Sequence, residues 1–168
     1  NRDPDNTPRS IGMPDAVRDE LKRSGALRPL TAPAEVLPGI FVTGPVPRNT
    51  AFEDTGGPFF LDRAFTQPDP LNDDLAVYMP SRDGTVIVLG CAHAGVVNTV
   101  EYIYGLTDGA PIAAIIGGMH LCHASEDRIR ATIDRIRAFD APLLAPCHCT
   151  GQPAVAAFND AFGSRCVE

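Results

Sequence analysis

The second half of the chain alternates short apolar runs with longer segments that carry helix signals. The apolar runs in TVIVLG, IAAIIGG and PLLAP predict strands at 85–89, 112–116 and 143–145. Each run is followed by a segment with helical capping or periodicity, at 95–104, from Ser125 onward, and at 153–162. Short apolar strands that alternate with helices predict an α/β fold, in which helices are layered on a sheet and ligands bind at the strand ends.

The first half of the chain is less regular. Residues 1–12 are polar and predict an irregular segment, and Pro14–Ser24 predicts a short helix that ends at Gly25. The other predicted elements are strands at 35–37 and 39–44, and a hairpin in which 75–79 and 85–89 flank the turn 81–84.

A long segment without helix or strand signals is predicted at 45–72. It is rich in proline and paired glycine, and four phenylalanines are scattered along it. A loop of this length inside a compact domain is usually functional. The alternative is a surface excursion that its aromatic side chains pin to the domain.

Composition narrows the classes of function. The 168 residues are enough for one ordinary domain with a real core. The net charge of −7 and the lack of a basic stripe argue against a nucleic-acid partner. No apolar run approaches the roughly 18 residues that span a bilayer, and no signal peptide is recognised, so no membrane partner is expected. Five cysteines, an odd number clustered near histidines, favour reduced thiols and a cytoplasmic protein.

All four histidines lie between positions 93 and 148, and most of them follow a predicted strand. His93 follows the first apolar run in Cys91-Ala92-His93, His120 follows the second, and His148 follows the third. An imidazole at a strand end is held rigidly above the sheet, and imidazole is the commonest ligand of zinc-like metals. The sequence therefore predicts converging metal ligands, but too few of them to hold an ion without help.

Each of these residues also has a simpler interpretation. Cys91 and His93 could be a core cysteine and a helix-capping histidine, and His120 could be a hydrogen-bonded histidine in the wall of the site. His148 is favoured as a ligand over Cys147 and Cys149, because neighbouring residues on a strand point in opposite directions. Both cysteines are therefore expected to serve in packing, and His123 is expected to be solvated.

The motifs also bear on two chemistries other than metal binding, namely nucleotide-phosphate binding and thiol hydrolysis. The chain has neither of the glycine-rich motifs that bind nucleotide phosphates. A metal-free hydrolase with Cys91 as nucleophile and a histidine as base is possible. It lacks an evident orienting residue, and it does not explain three histidines at strand ends.

Five segments carry a resemblance to a known family. GCAHAGVVNTVEY, IGGMHL and APCHCTG, preceded by GIFVTGPVPRNTAFED and DDLAVYM, resemble the metallo-β-lactamase superfamily. The similar branch is that of metal-dependent hydrolases grouped with an archaeal dihydropterin phosphate synthase, and the likeness runs from about Arg9 to Phe162. The resemblance implies part of an αββα sandwich that holds one or two ions, zinc or else manganese or iron. It also implies metal-dependent hydrolysis of an ester, amide or phosphoester in a small-molecule substrate.

The resemblance also implies roles for single residues. His93 looks like a histidine that completes the first metal site, and His148 looks like the last histidine of the second. Cys91 stands where many members have a metal-bridging aspartate.

Three more residues are candidates for contact with substrate. His120 matches the motif GG-x-H-L, so it is the candidate catalytic residue that lines the pocket. Arg48 and Glu53 lie in a segment that resembles the loop shaping the pocket, and both are candidates for substrate binding. Surface charge is the alternative for Arg48 and Glu53.

The signature H-x-H-x-D-H of the superfamily is absent from residues 1–168. The sequence is therefore interpreted as a partial domain, the C-terminal portion of a metallohydrolase, inactive until an upstream half supplies the other ligands. One face of its sheet would be uncovered, which favours pairing with that half or with a second chain, a copy of itself in a homo-oligomer included. The leading hypothesis is a metal-dependent hydrolase; the alternatives are a non-catalytic binding or scaffold module and the thiol hydrolase.

Overall fold

The computed structural model describes residues 9–167, and within them one mixed sheet of six strands carries the fold. Residues 9–12 lie outside helices and strands, and the rest of the predicted irregular segment lies outside the described residues. The strands are β1 (Ala34–Leu37), β2 (Ile40–Val42), β3 (Ala76–Ser81), β4 (Gly84–Leu89), β5 (Ile112–Gly118) and β6 (Leu143–Cys147). The helices are α1 (Asp15–Ser24), α2 (Val96–Leu106), α3 (Glu126–Arg137) and α4 (Gln152–Phe162), with short 3₁₀ turns at His148–Thr150 and Gly163–Arg165.

The strands lie in the sheet in chain order, and their direction changes once. β1 to β4 pair antiparallel, whereas β4, β5 and β6 pair parallel. Parallel neighbours need a crossover, and here α2 and α3 provide it. As a result the carboxyl ends of β4, β5 and β6 meet at one edge of the sheet, where ligands bind in α/β folds.

One face of the sheet carries the core. Side chains that alternate along the parallel strands point to this face and pack with the apolar sides of α2, α3 and α4. On α3 the predicted stripe of Ile129, Ile133 and Ile136 is buried, which confirms the helical periodicity. The strand side chains in this core are Ile87, Leu89, Ile115 and Leu144.

The opposite face of the same strands is also apolar but less well covered. Two rows of paired residues cross β3 to β6, and all of their members except the buried Ala114 are half-buried. This half-burial agrees with the expectation that one face of the sheet lacks a full cover. The rows are Met79–Val86–Ala114–Leu143 and Val77–Val88–Ile116–Ala145.

The long connection between β2 and β3 has one isolated bridge, between Phe60 and Pro68. It is held both by aromatic contacts and by hydrogen bonds. Phe60 and Phe65 meet edge to face at 5.3 Å, and the Asp62 carboxylate accepts bonds from backbone amides of the same loop. The fold is the mixed α/β arrangement predicted from the sequence. None of the helices within residues 9–167 is both long and apolar enough to cross a membrane.

Candidate metal centre

The residues that follow the three parallel strands adopt unusual backbone conformations. Ala92, His120 and His148 have φ angles of 53°, 44° and 54°, in the left-handed region. For residues with a side chain this region costs roughly 1–2 kcal/mol each. Such cost is tolerated where the surrounding structure fixes the backbone, and it concentrates at functional sites. All three positions lie at the edge where the carboxyl ends of β4, β5 and β6 meet.

Three side chains at this edge form what we call the inner group: Cys91, His93 and His120. Each offers one donor atom, and the three atoms lie within 4.8 Å of one another. The two imidazole rings are 4.1 Å apart between centroids. Donor atoms around a tetrahedral zinc ion are roughly 3.5 Å apart, so small side-chain adjustments would close the group on an ion.

Backbone carbonyls of the long loop orient both imidazoles. His93 Nδ1 lies 2.9 Å from the carbonyl oxygen of Thr55, and His120 Nε2 lies 3.2 Å from that of Gly56. Metal-binding histidines commonly donate one ring N–H to a carbonyl so that the other nitrogen faces the ion. His93 Nε2 and His120 Nδ1 are thereby left as the candidate ligand atoms.

His120 Nδ1 provides the test of fit. This nitrogen is buried and makes no hydrogen bond with any group in the described part of the chain. Burial lowers the pKa of His120, and the neighbouring His93 acts in the same direction, so the neutral imidazole is favoured. A neutral, buried nitrogen without a partner, next to a second oriented imidazole and a thiol, fits a zinc-like ion.

Gly56 makes the position of His120 possible. At this glycine, with φ of 78°, a Cβ atom would lie only 2.0 Å from His120 Cδ2. Because glycine has no side chain, the long loop approaches the imidazole more closely than it could with any other residue at position 56. Asp54 ties the same loop to α3 through Arg128, whose side chain is only 9% exposed. Burial by itself would raise the pKa of Asp54. The hydrogen bond from the Gly56 amide and the interaction with Arg128 outweigh it, so the pKa lies below its usual value.

A second set of donors, the outer group, consists of Cys91, His148 and Cys149. Their ligand atoms also lie within 4.8 Å of one another, and Cys91 belongs to both groups. His93 and His148, which the resemblance assigns to the first and the second metal site, lie in different groups that are joined through Cys91. His148 is exposed, whereas Cys91 and Cys149 are half-buried.

The position of Cys149 differs from the expectation that it serves only in packing. That expectation extended the alternation of a strand through Cys147, His148 and Cys149. The strand instead ends at Cys147, and a 3₁₀ turn with His148 in the left-handed region brings the Cys149 sulfur back toward Cys91. Cys147 belongs to neither group, but it is exposed and so does not serve in the packing that the sequence predicted for it.

Arg48 and Glu53, the candidates for substrate contact, bind other parts of the chain. Arg48 donates to the carbonyl oxygen of Pro70 at 2.8 Å. The Glu53 carboxylate accepts bonds of 2.9 and 2.8 Å from the amides of Val97 and Asn98 at the start of α2. Burial raises the pKa of Glu53, although those two amides oppose the shift. Both residues thus hold the loop in place, and their contact with substrate stays a prediction.

A cavity of about 670 Å³ adjoins the inner group on the side of α3. His120 lines it, which agrees with the expected place of this residue in a pocket wall. His123, expected to be solvated, is exposed and also lines the cavity. Sequence reasoning missed the carbonyls of Thr55 and Gly56, the pair of Asp54 with Arg128, and Cys149. Only the unusual Cys-His-Cys string gave a signal for the last of these.

Comparison with known proteins places this geometry in context. No family model matches the chain. The chain is 27% identical over 151 residues to the 7,8-dihydropterin-6-methyl-4-(β-D-ribofuranosyl)-aminobenzene-5′-phosphate synthase of Methanocaldococcus jannaschii, which covers 87% of this chain and 51% of that protein. It is 28% identical over 147 residues to an uncharacterized protein of the same organism, with 88% and 54% covered. The chain therefore spans about half the length of these relatives.

A solved structure gives the same result. Tm1679, described as a metal-dependent hydrolase of the β-lactamase superfamily, superposes with a TM-score of 0.72 at 26% identity, over 82% of this chain and 53% of that one. Similarity to an enzyme in sequence and to a hydrolase in fold thus comes from two independent comparisons. The resemblance is confirmed: over about half of their length, this chain is similar to proteins of the metallo-β-lactamase superfamily and has their mixed α/β fold.

Proposed function

We propose that this chain is part of a metal-dependent hydrolase, with an ion site at the inner group. The observation that carries the proposal is the buried Nδ1 atom of His120, which has no hydrogen-bond partner among the described residues and belongs to a histidine that is grouped with His93 and Cys91. The names of Tm1679 and of the archaeal synthase support an enzyme. The substrate would be a small molecule with an ester, amide or phosphoester bond.

The donor set favours zinc over harder ions. One thiolate and two imidazoles suit zinc, whereas magnesium and calcium prefer oxygen ligands. A bound divalent ion would polarise the scissile group and lower the pKa of water toward 7. Manganese or iron, which imidazole also binds, are the alternative ions.

The chain's own residues have three tasks in this proposal. The carbonyls of Thr55 and Gly56 hold His93 and His120 in the tautomers that present a nitrogen to the ion. Glu53 fixes the loop that carries those carbonyls to the start of α2. The cavity beside His120 is large enough for a small substrate and is open to solvent along α3.

We also propose that the active enzyme contains more than this chain. Relatives are about twice as long, so full activity would need a further segment that completes the ion sites and covers the half-exposed sheet face, or a second copy in its place. Because the inner group uses a reduced cysteine, we place the protein in a reducing compartment, the cytoplasm. No nucleic-acid or membrane partner is part of the proposal.

Zinc content by elemental analysis tests the ion site. The chain should retain zinc after gel filtration, and His93→Ala should lower the zinc content while the matched control His123→Ala, which lies outside both groups, leaves it unchanged. If both proteins bind zinc and the His93→Ala variant contains as much as the native chain, the proposal is contradicted. If neither protein contains zinc, a binding or scaffold module is favoured. Hydrolysis by the complete polypeptide that alkylation stops and chelators leave intact would favour the thiol hydrolase.

A further inference from the structure

Cys149 has no role in the inner group, yet its sulfur is held close to it. The sulfur lies within 4.8 Å of the ligand atoms of Cys91 and His148. In the structure it donates a long contact of 3.7 Å to the carbonyl oxygen of Cys91, and the backbone of His120 and the thiol of Cys91 are also within hydrogen-bonding reach of it. Thiols form weak hydrogen bonds, so these contacts alone contribute little to the placement.

The sheet is shaped to admit this sulfur. At Gly118, the last residue of β5, a Cβ atom would lie 2.7 Å from Cys149 Sγ and 2.5 Å from the carbonyl oxygen of Gly90. Any residue with a side chain at position 118 would therefore push the sulfur away from Cys91. The glycine leaves a gap at the end of β5, and the Cys149 side chain fills it from the neighbouring strand end.

Hydrogen bonds hold the turn that carries Cys149 against the end of β5. The Thr150 hydroxyl is buried, donates to the carbonyl oxygen of Cys147 at 2.7 Å, and accepts from the amide of Met119 at 3.1 Å. The amide of Cys122 also donates to the carbonyl oxygen of Cys149 at 3.3 Å. These bonds tie the turn to the end of β5, so the sulfur is presented by a rigid element rather than by a free loop.

We infer that Cys149 is a ligand of the second ion for which the resemblance implies His148 and the shared position of Cys91, so that this ion would be held by two sulfurs and one imidazole. This inference rests on the proposed function, because it adds an ion beside the inner one. Two thiolates and one imidazole form a three-ligand set that leaves a fourth position for water or substrate.

The donor chemistry predicts which ions this outer site takes. Thiolates select zinc, cadmium and cobalt over magnesium, calcium and manganese. The outer site should therefore be softer than the inner one, which has a single sulfur and two imidazoles. A chain loaded with both ions would contain three metal–sulfur bonds, two from Cys91 and one from Cys149.

Cobalt titration of the chain under reducing conditions tests the inference, because sulfur–cobalt charge transfer absorbs in the near ultraviolet whereas other ligands do not. The native chain should bind about two equivalents of cobalt. Cys149→Ser should bind about one equivalent and lose about two thirds of the near-ultraviolet band at saturation, because the bonds of the second ion to Cys149 and to Cys91 are both lost. The matched control Cys147→Ser changes an exposed sulfur in the same motif and should behave as the native chain.

A second variant separates a missing ligand from a damaged fold. Cys149→Asp keeps a ligating group without sulfur, so it should retain the second equivalent of cobalt and lose only about one third of the near-ultraviolet band, the share of the single bond from Cys149. Circular dichroism and thermal unfolding would report the fold of each variant.

The outcomes distinguish this inference from the proposed function. Cobalt binding that His93→Ala weakens, with a near-ultraviolet band that Cys149→Ser leaves intact, would overturn the outer site and keep the inner one. Loss of the second equivalent and of its band in Cys149→Ser, with a folded protein, would support the outer site. Absence of any cobalt binding to the native chain would remove both.

Discussion

The inner and outer groups share Cys91 but differ in what holds their other donors. In the inner group, carbonyls of the long loop orient His93 and His120, so the geometry depends on the loop being docked. In the outer group, His148 and Cys149 lie on a turn tied to the end of β5, and the sheet alone fixes them. The difference teaches that one sheet edge can present two donor sets, and it predicts that the donors held by the loop and those held by the turn can be altered separately, apart from the shared Cys91.

Gly56→Ala should produce the largest separation of the two groups. Its Cβ would collide with the His120 ring, and φ at this position is 78°, so the loop carbonyls would move away from both imidazoles. Loss of such orienting contacts typically lowers metal affinity about 10- to 100-fold, and we expect that loss at the inner group alone. Competitive titration with a chromophoric chelator would measure it.

Gly57→Ala is the matched control for this variant. Its Cβ would meet only the ring of Phe59, at 3.2 Å, and φ at this position is not in the left-handed region. Equal losses of affinity in the two variants would show that the loop responds to any added side chain and that Gly56 has no special part.

Gly118→Ala should weaken metal binding at the outer group instead of the inner one. The added Cβ would displace Cys149 Sγ and press on the carbonyl oxygen of Gly90. We expect about a 10-fold loss of the second cobalt equivalent, the lower end of the range for an altered support. Overpacking at this position should also lower the free energy of unfolding by about 1–3 kcal/mol, measured by urea unfolding.

Gly90→Ala is the control for that change, because nothing lies within 4 Å of a Cβ at this position. It should leave both the cobalt stoichiometry and the free energy of unfolding near their native values. A Gly118→Ala variant that retains the full near-ultraviolet band would show that the gap at the end of β5 is not required by Cys149.

Asp54→Asn should give the smallest effect, because it removes one of several contacts that dock the loop. Asp54 is 71% exposed and solvent screens its pair with Arg128, so we expect a loss below about 1 kcal/mol at neutral pH. The pKa of Asp54 in the fold lies below its ordinary value of 3.8, so this stabilisation is present above 3.8 and is lost as the pH falls through the folded value.

Urea unfolding of the native chain and Asp54→Asn near pH 7 and at about pH 3 would measure this difference. The gap between the two proteins should shrink at the lower pH. A gap of constant size would show that the ionised carboxylate of Asp54 does not contribute to stability.

The sequence was sufficient to predict the strand ends and the residues that follow them. Apolar runs that stop at glycine or proline predict where a buried strand ends, and His93, His120 and His148 were therefore expected at one edge. The position of Cys149 was not predictable in this way, because it depends on a left-handed residue at His148, a conformation that side-chain periodicity does not encode. The carbonyls of Thr55 and Gly56 were missed because a backbone group has no residue-type signal, and only the docking of a distant loop brings them to the histidines.

The two cross-strand rows on the open face have a consequence for handling this chain. Eight apolar side chains repeat across four strands on the side away from the core, a composition typical of a parallel sheet covered on both sides. Such a surface adheres to any other apolar surface it meets. We therefore expect concentration, more than temperature, to govern whether preparations of this polypeptide stay dispersed, and an added charge on one of these rows to extend the range in which they do.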